Sequence, residues 1–273
     1  MVGGLTFDVV DAGPPDGEAV LLLHGFPQTS WSWRAVWPAL VEGGYRVLAP
    51  DQRGYSPGAR PEETAAYAMP HLVGDALGVL DAAGVGRAHV VGHDWGAAVA
   101  WQLAARHPER VRTLTAVSVP HPRAFVEALR TDPDQRERSA YMRLFAQDGV
   151  AEEALLGGGQ HRLAAFFEGD GGASDVTHSV ELMRQPGVLT ACLNWYRAQD
   201  LADIDSLPPV TVPTLHVWSD GDRALGRTGT ELTAGYVDGP YRLEVLEGVS
   251  HWVPEQAADR LAAVLLEHVR AHS

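Results

Sequence analysis

The chain has 273 residues, 45% of them hydrophobic, which suits one large core, or one core with a modest insertion, rather than several independent domains. Lys and Arg number 21 against 35 Asp and Glu, a formal charge of −14 that argues against nucleic acid or an anionic membrane as partner. No stretch approaches the ~18 apolar residues of a spanning helix, the first residues carry no basic segment before an apolar block, and the single Cys192 reads as a packed thiol, so a cytoplasmic protein is expected.

In chain order, Pro14-Pro15-Asp16-Gly17 is a turn between a first edge strand and a second strand. Apolar runs at residues 19–23, 45–49, 88–92, 111–119, 214–218 and 241–246 read as strands, several of them apolar on both faces as parallel strands between helices are. Trp33, Val36, Trp37, Leu40 and Val41 follow the spacing of one helix face, with Ser30 placed to cap its start and Gly43-Gly44 to stop it. Leu72, Val73, Ala76, Leu77 and Leu80 predict a second helix, and the Ala-rich segment 96–106, ending before Pro108, a third.

The rhythm breaks between about residues 120 and 207, where the chain is helical in character and has no core-strand run. Its glycine clusters at 157–159 and 169–172 read as flexible connections, since neither sits between a strand and a helix start as a phosphate-binding loop does. The expected architecture is α/β, a mostly parallel central sheet flanked by helices, with residues 1–120 and 208–273 as the core and residues 121–207 as an inserted helical lid. There is no internal repeat.

The decisive segment is Gly92-His93-Asp94-Trp95-Gly96, where a strand turns sharply into a helix with small residues on both sides, the form of a nucleophile elbow. Asp94 stands in the middle. An aspartate with an ordinary pKa of about 3.9 is already an anion at neutral pH and can attack a carbon with no base to activate it. The plainer alternative is that Asp94 only caps the helix that follows. Two other segments bear on the choice. His24-Gly25-Phe26-Pro27 follows a strand where hydrolases of this form keep an oxyanion-hole loop, and Gly248-Val249-Ser250-His251-Trp252 follows the last strand after Ser219-Asp220-Gly221-Asp222. The order nucleophile, acid, histidine is that of the α/β-hydrolases.

On these motifs, with Asp51-Gln52-Arg53-Gly54-Tyr55 and Asn194-Trp195-Tyr196-Arg197, the sequence resembles the epoxide hydrolases of the α/β-hydrolase superfamily over nearly its whole length. The resemblance implies that Asp94 opens an apolar epoxide to an alkyl-enzyme ester while Tyr196 and, on a looser match, Tyr141 hydrogen-bond the epoxide oxygen. It further implies that His251, oriented by Asp222, activates water against that ester, and that the backbone N–H groups of Phe26 and Trp95 hold the oxyanion. Asp220 competes with Asp222 as the acid, and the family spacing favours Asp222. No cofactor or metal is implied, and the sequence carries no His-Glu-x-x-His string or Cys/His cluster.

His24 and His93 are expected to orient loops, His107, His161, His178, His268 and His272 to lie at surfaces or helix ends, and Asp51 and Arg53 to brace structure. Two other readings stay open. A haloalkane dehalogenase would share the aspartate, with Trp95 holding halide, although Phe26 offers no side-chain donor. A non-catalytic ligand-binding relative would share the fold. Phe125, Phe145, Phe166, Phe167, Leu182 and Trp195 are candidate substrate-facing residues whose character suits an apolar ligand. Oligomeric state is not legible in the sequence.

Overall fold

A computed structural model describes residues 1–157, 162–164, 176–199 and 201–273. Seven strands form one sheet: β1 (Val9–Ala12), β2 (Ala19–Leu23), β3 (Arg46–Pro50), β4 (Ala88–His93), β5 (Val111–Val117), β6 (Thr214–Ser219) and β7 (Tyr241–Leu246). The spatial order is β1-β3-β2-β4-β5-β6-β7; β1 runs antiparallel to β3 and every other pairing is parallel. From β2 the chain passes outward to β3 and then returns to place β4 on the other flank of β2. The order therefore reverses between β2 and β4, and at such a switch point the loops at the carboxyl ends of the two strands part to leave a crevice.

Successive residues of the inner strands bury against opposite layers. Leu21, Leu23, Val90 and Leu114 join one core cluster, whereas Val20, Leu22, Val91 and Val217 join another. The continuous apolar runs seen in the sequence are thus the mark of a sheet covered on both faces. α1 (Trp37–Glu42) and, at the end of the chain, the helix Ala258–Arg270 cover the second layer through Leu40, Leu261 and Leu265; α2 (Met69–Ala82) and α3 (Trp95–Arg106) cover the first through Leu72, Leu80, Val99 and Leu103.

Two local expectations are corrected. The helix expected across Trp33 to Val41 is split into a tight 3-10 turn at Ser30–Trp33 and the short α1, because Pro38 has no N–H to donate to the Arg34 carbonyl. Thr29, not Ser30, is the cap, its hydroxyl accepting from the Trp31 N–H at 3.2 Å. The strand expected over 111–119 stops at Val117, since Ser118 takes φ 69° and leaves the ladder.

Between β5 and β6 the described residues form helices and no strand: α4 (Pro122–Thr131), α5 (Pro133–Arg138), α6 (Tyr141–Phe145), α7 (Val150–Leu156), α8 (Val176–Met183), α9 (Val188–Arg197) and α10 (Leu201–Asp205). Leu189, Cys192, Leu193 and Trp195 of α9 join the first core layer, so this insertion packs on the sheet domain through apolar contact. Residues 158–159 and 169–172 of the glycine clusters, and His161, Phe166 and Phe167, lie outside the described residues. Of the histidines expected at surfaces or helix ends, His268 lies in the last turn of the final helix, where it is buried, and burial pushes its imidazole down to about 4. No helix among the described residues is long and apolar enough to cross a membrane.

Candidate active site

Asp94 follows β4 and precedes α3 with φ 52° and ψ −122°, a backbone state that costs a non-glycine residue on the order of 1–3 kcal/mol. The neighbours make this turn possible. A Cβ on Gly92 would strike the Gly96 carbonyl, and one on Gly96 would strike the carbonyls of Leu23 and His24, so only glycine lets α3 start this close to β2. The Asp94 side chain makes no capping hydrogen bond to its own helix. Its Oδ1 instead accepts the Phe26 N–H at 2.8 Å, across the switch point. The plain capping role does not account for this carboxylate.

His251 meets the other oxygen, with Nε2 3.4 Å from Asp94 Oδ2. Its Nδ1 lies 2.7 Å from Asp222 Oδ2. Asp222 is itself fixed, because Oδ1 accepts the N–H groups of Ala224 at 2.7 Å and Leu225 at 2.9 Å. Asp220 points elsewhere: it is exposed and accepts the Gly248 N–H at 2.7 Å. The sequence alone left these two aspartates in competition. The turn after β6 sends Asp222 inward to the histidine and Asp220 outward.

Burial opposes charge on Asp94 and on His251. For Asp94 it is outweighed by the hydrogen bond and charge of His251, by His93 and by the Trp95 N–H, and the carboxyl titrates below the usual carboxylate range. For His251 burial is outweighed by Asp222 and Asp94, and its pKa is raised to about 10. Both carboxylates favour the protonated form of His251.

His24 and His93 support loops, as expected. His24 Nε2 accepts the Gln52 N–H at 3.0 Å, which leaves Nδ1 to donate to the Gly25 carbonyl at 3.1 Å, and burial holds the ring neutral. His93 Nε2 donates to the His251 carbonyl at 2.9 Å; burial and the adjacent His251 push its pKa down to about 4. Ser118, missed in the sequence, donates to the same carbonyl at 3.2 Å from its left-handed backbone. A lone serine after a strand gives no sequence signal of that role. Asp51 accepts the Ser30 N–H at 2.8 Å, and Arg53 forks onto Asp75 at 2.6 and 2.7 Å, both away from the carboxylate pair.

Tyr141 of α6 and Tyr196 of α9 face Asp94 across a cavity of about 260 Å³ that all three line together with Trp95. Hydrogen bonding joins Tyr196 to Trp95 and Tyr141, and the Tyr196 ring stands edge-on to Phe26, Trp95 and Phe145 at 5.5, 5.0 and 5.1 Å. Burial, reinforced by the Asp94 charge, raises both phenols well above their ordinary range and keeps them protonated as donors. Of the proposed substrate-facing residues, Phe125 lines the cavity, while Phe145, Leu182 and Trp195 pack behind it. Trp195 is occupied with the Arg53 carbonyl at 2.9 Å. Met69, Val126, Leu129, Ile204 and Leu225 also line it and were missed, because helix spacing marks an apolar face but not whether it meets protein or a hollow.

Residues 18–258 match the family model of the α/β-hydrolase fold. The chain is 35% identical to an α/β-hydrolase superfamily protein of Bacillus subtilis over 98% of this chain and 95% of that protein. It is 34% identical to epoxide hydrolase A of Mycobacterium tuberculosis over 97% of this chain and 94% of that one. The crystal structure of epoxide hydrolase A from Mycobacterium thermoresistibile superposes with a TM-score of 0.86 and 30% identity, covering 100% of this chain and 97% of that one. The chain belongs to the α/β-hydrolase family and, within it, to the epoxide hydrolases.

Proposed function

We propose that the chain hydrolyses an apolar epoxide to a vicinal diol through an ester of Asp94. The observation that carries the reading is the opposition, across one cavity, of an anionic carboxylate and two protonated phenols: the first suits attack on carbon, the second suits a leaving alkoxide.

The two Asp94 oxygens have different surroundings. Oδ1 is held by the Phe26 N–H, and Oδ2 faces His251. Attack of Oδ2 on an epoxide carbon forms a C–O bond and breaks the ring C–O bond, whose oxygen takes a proton from Tyr141 or Tyr196. Esterification removes the Asp94 charge, one of the two anions that hold a proton on His251, and so lowers the His251 pKa at the stage where it must act as base. The His251 proton passes to the tyrosinate and restores the phenol; the neutral imidazole then takes a proton from water, and the hydroxide adds to the Asp94 carbonyl. The N–H groups of Phe26 and Trp95 stabilise the oxyanion, and collapse releases the diol and restores the carboxylate. The departing alkoxide takes the proton of the added hydroxyl, and the proton drawn from water stays on His251, so that the carboxylate, the protonated histidine and both phenols are restored.

In this reading residues 121–207 are a lid over a core of residues 1–120 and 208–273, supplying both tyrosines and most of the apolar wall. The acidic surface and single buried thiol fit work in the cytoplasm.

The test is turnover of aryl and alkyl epoxides beside matched chloro- and bromoalkanes by wild type and Asp94→Ala. Diol formation without halide release, lost by four orders of magnitude or so in Asp94→Ala, is expected. Halide release without diol would make the protein a dehalogenase, and ligand binding without either product would make it a receptor.

A further inference from the structure

Ala98 and Gln102, one turn apart, share one face of α3, which Asp94 immediately precedes, and all three line the same cavity. At 1.5 Å of rise per residue Gln102 stands about 12 Å along the helix from Asp94. The wall between is apolar, built by Phe125, Val126, Leu129, Met142, Ile204 and Leu225. The far end is not. Gln102 and Asp203 meet there, and Gln199 lines the same cavity.

Gln102 is only 2% exposed, yet its amide nitrogen reaches Asp203 Oδ2 at 3.5 Å, the limit of a hydrogen bond, while its oxygen accepts from Arg106 at 2.8 Å. An amide nitrogen carries two N–H donors, and a buried donor without a good acceptor is costly. Asp203 Oδ1 is held by Arg106 at 2.7 Å, so the ion pair leaves little net charge but an open acceptor at Oδ2. Gln199 gives its N–H groups to the carbonyls of Trp195 at 2.7 Å and Tyr67 at 3.3 Å, which leaves its oxygen as a second acceptor.

We infer that this cluster is a recognition subsite for a neutral group that both donates and accepts a hydrogen bond, a hydroxyl or primary amide, at the far end of the epoxide substrate. Its basis is the juxtaposition of an underused buried donor, Gln102, with the Asp203 acceptor in the cavity that Asp94 also lines, with the Gln199 oxygen as a further acceptor in its wall. The inference rests on the epoxide reading and narrows it: the substrate is not apolar throughout but has an apolar middle and a polar tail. A carboxylate tail is disfavoured by Asp203, and an ammonium tail by Arg106.

The experiment compares two epoxides of equal chain length, long enough to span the α3 face, one ending in methyl and one in hydroxyl. Wild type is expected to favour the hydroxyl-ended substrate about tenfold in kcat/KM, chiefly through KM, the effect of one hydrogen bond. In Gln102→Leu the ratio falls to parity; Asp203→Ala, a partly exposed position, lowers it independently should the first variant fold poorly. Equal turnover of both substrates by wild type, or a preference that survives in both variants, overturns the subsite while leaving the epoxide reading intact. If neither epoxide is opened while both bind, the epoxide reading fails and this inference falls with it.

Discussion

Asp94, Asp222 and His251 stand at the carboxyl ends of β4, β6 and β7 and are held largely by backbone groups, whereas Tyr141 and Tyr196 ride on short helices and are held by other rings. The first set inherits its geometry from strand register: Leu23 pairs with Gly92 and His93 with Val117, which brings the Phe26 loop, Asp94 and Ser118 together. The second set inherits its geometry from packing, Tyr196 against Phe26, Trp95 and Phe145, and Tyr141 against Phe145 at 5.1 Å. On the proposed mechanism, changing one member of the strand-end set removes a chemical step from an intact frame, while changing a tyrosine or its neighbours alters how well an existing step is served.

The largest expected effect separates the two steps within the strand-end set. His251→Gln leaves Asp94 free to attack but removes the base, so an alkyl-enzyme accumulates and intact-protein mass spectrometry finds the chain heavier by one epoxide. Multiple turnover falls by about 10⁴-fold, and Asp222→Asn behaves similarly because the imidazole loses its orienting partner. A chain of unchanged mass in His251→Gln, with diol still released, would break the assignment.

The next concerns pH. On the proposed mechanism His251 must be neutral to activate water, and in the free enzyme two carboxylates raise its pKa to about 10. In the ester only Asp222 remains charged. The hydrolysis step should thus rise with pH and level off at a pKa below that of the free enzyme, while alkylation, which needs only the Asp94 anion, stays flat above its lowered pKa. Single-turnover kinetics across pH resolve the two limbs; coincident profiles would remove the ester's role in lowering the histidine.

Smaller again is the tyrosine effect. Tyr196→Phe should slow alkylation about a hundredfold and Tyr141→Phe by less, with the double variant worse than either, since each phenol offers a proton that the other can partly supply. Stopped-flow measurement of the first step reads this; a slowed ester hydrolysis with normal alkylation would move the tyrosines to the second step. The smallest effect is Asp220→Asn, expected to leave kcat within about twofold because its carboxylate is exposed and turned from His251. A loss matching that of Asp222→Asn would overturn the distinction between these two aspartates.

Much of this was legible along the chain. Buried parallel strands need apolar residues on both faces, so β2, β4 and β5 stand out without reference to partners, and a sharp strand-to-helix turn needs the small residues that flank Asp94. Local chemistry also fails in particular places. The Trp33 to Val41 spacing suggested one helix, yet the missing N–H of Pro38 broke it, and Ser118 carried no mark of the backbone state that lets it hold His251.

By itself the sequence determined the order of the strands in the chain, the elbow, and the residue types able to act as nucleophile, acid and base, because these depend on periodicity and on chemistry within a few positions. Only the tertiary structure decided which aspartate meets His251, that the Asp94 carboxylate reaches across to the Phe26 N–H, that two tyrosines 55 positions apart share one hydrogen bond, and where a hollow opens beside α3. Each of these depends on distances between segments remote in the chain, which are set by how the sheet crosses over and how the inserted helices settle upon it.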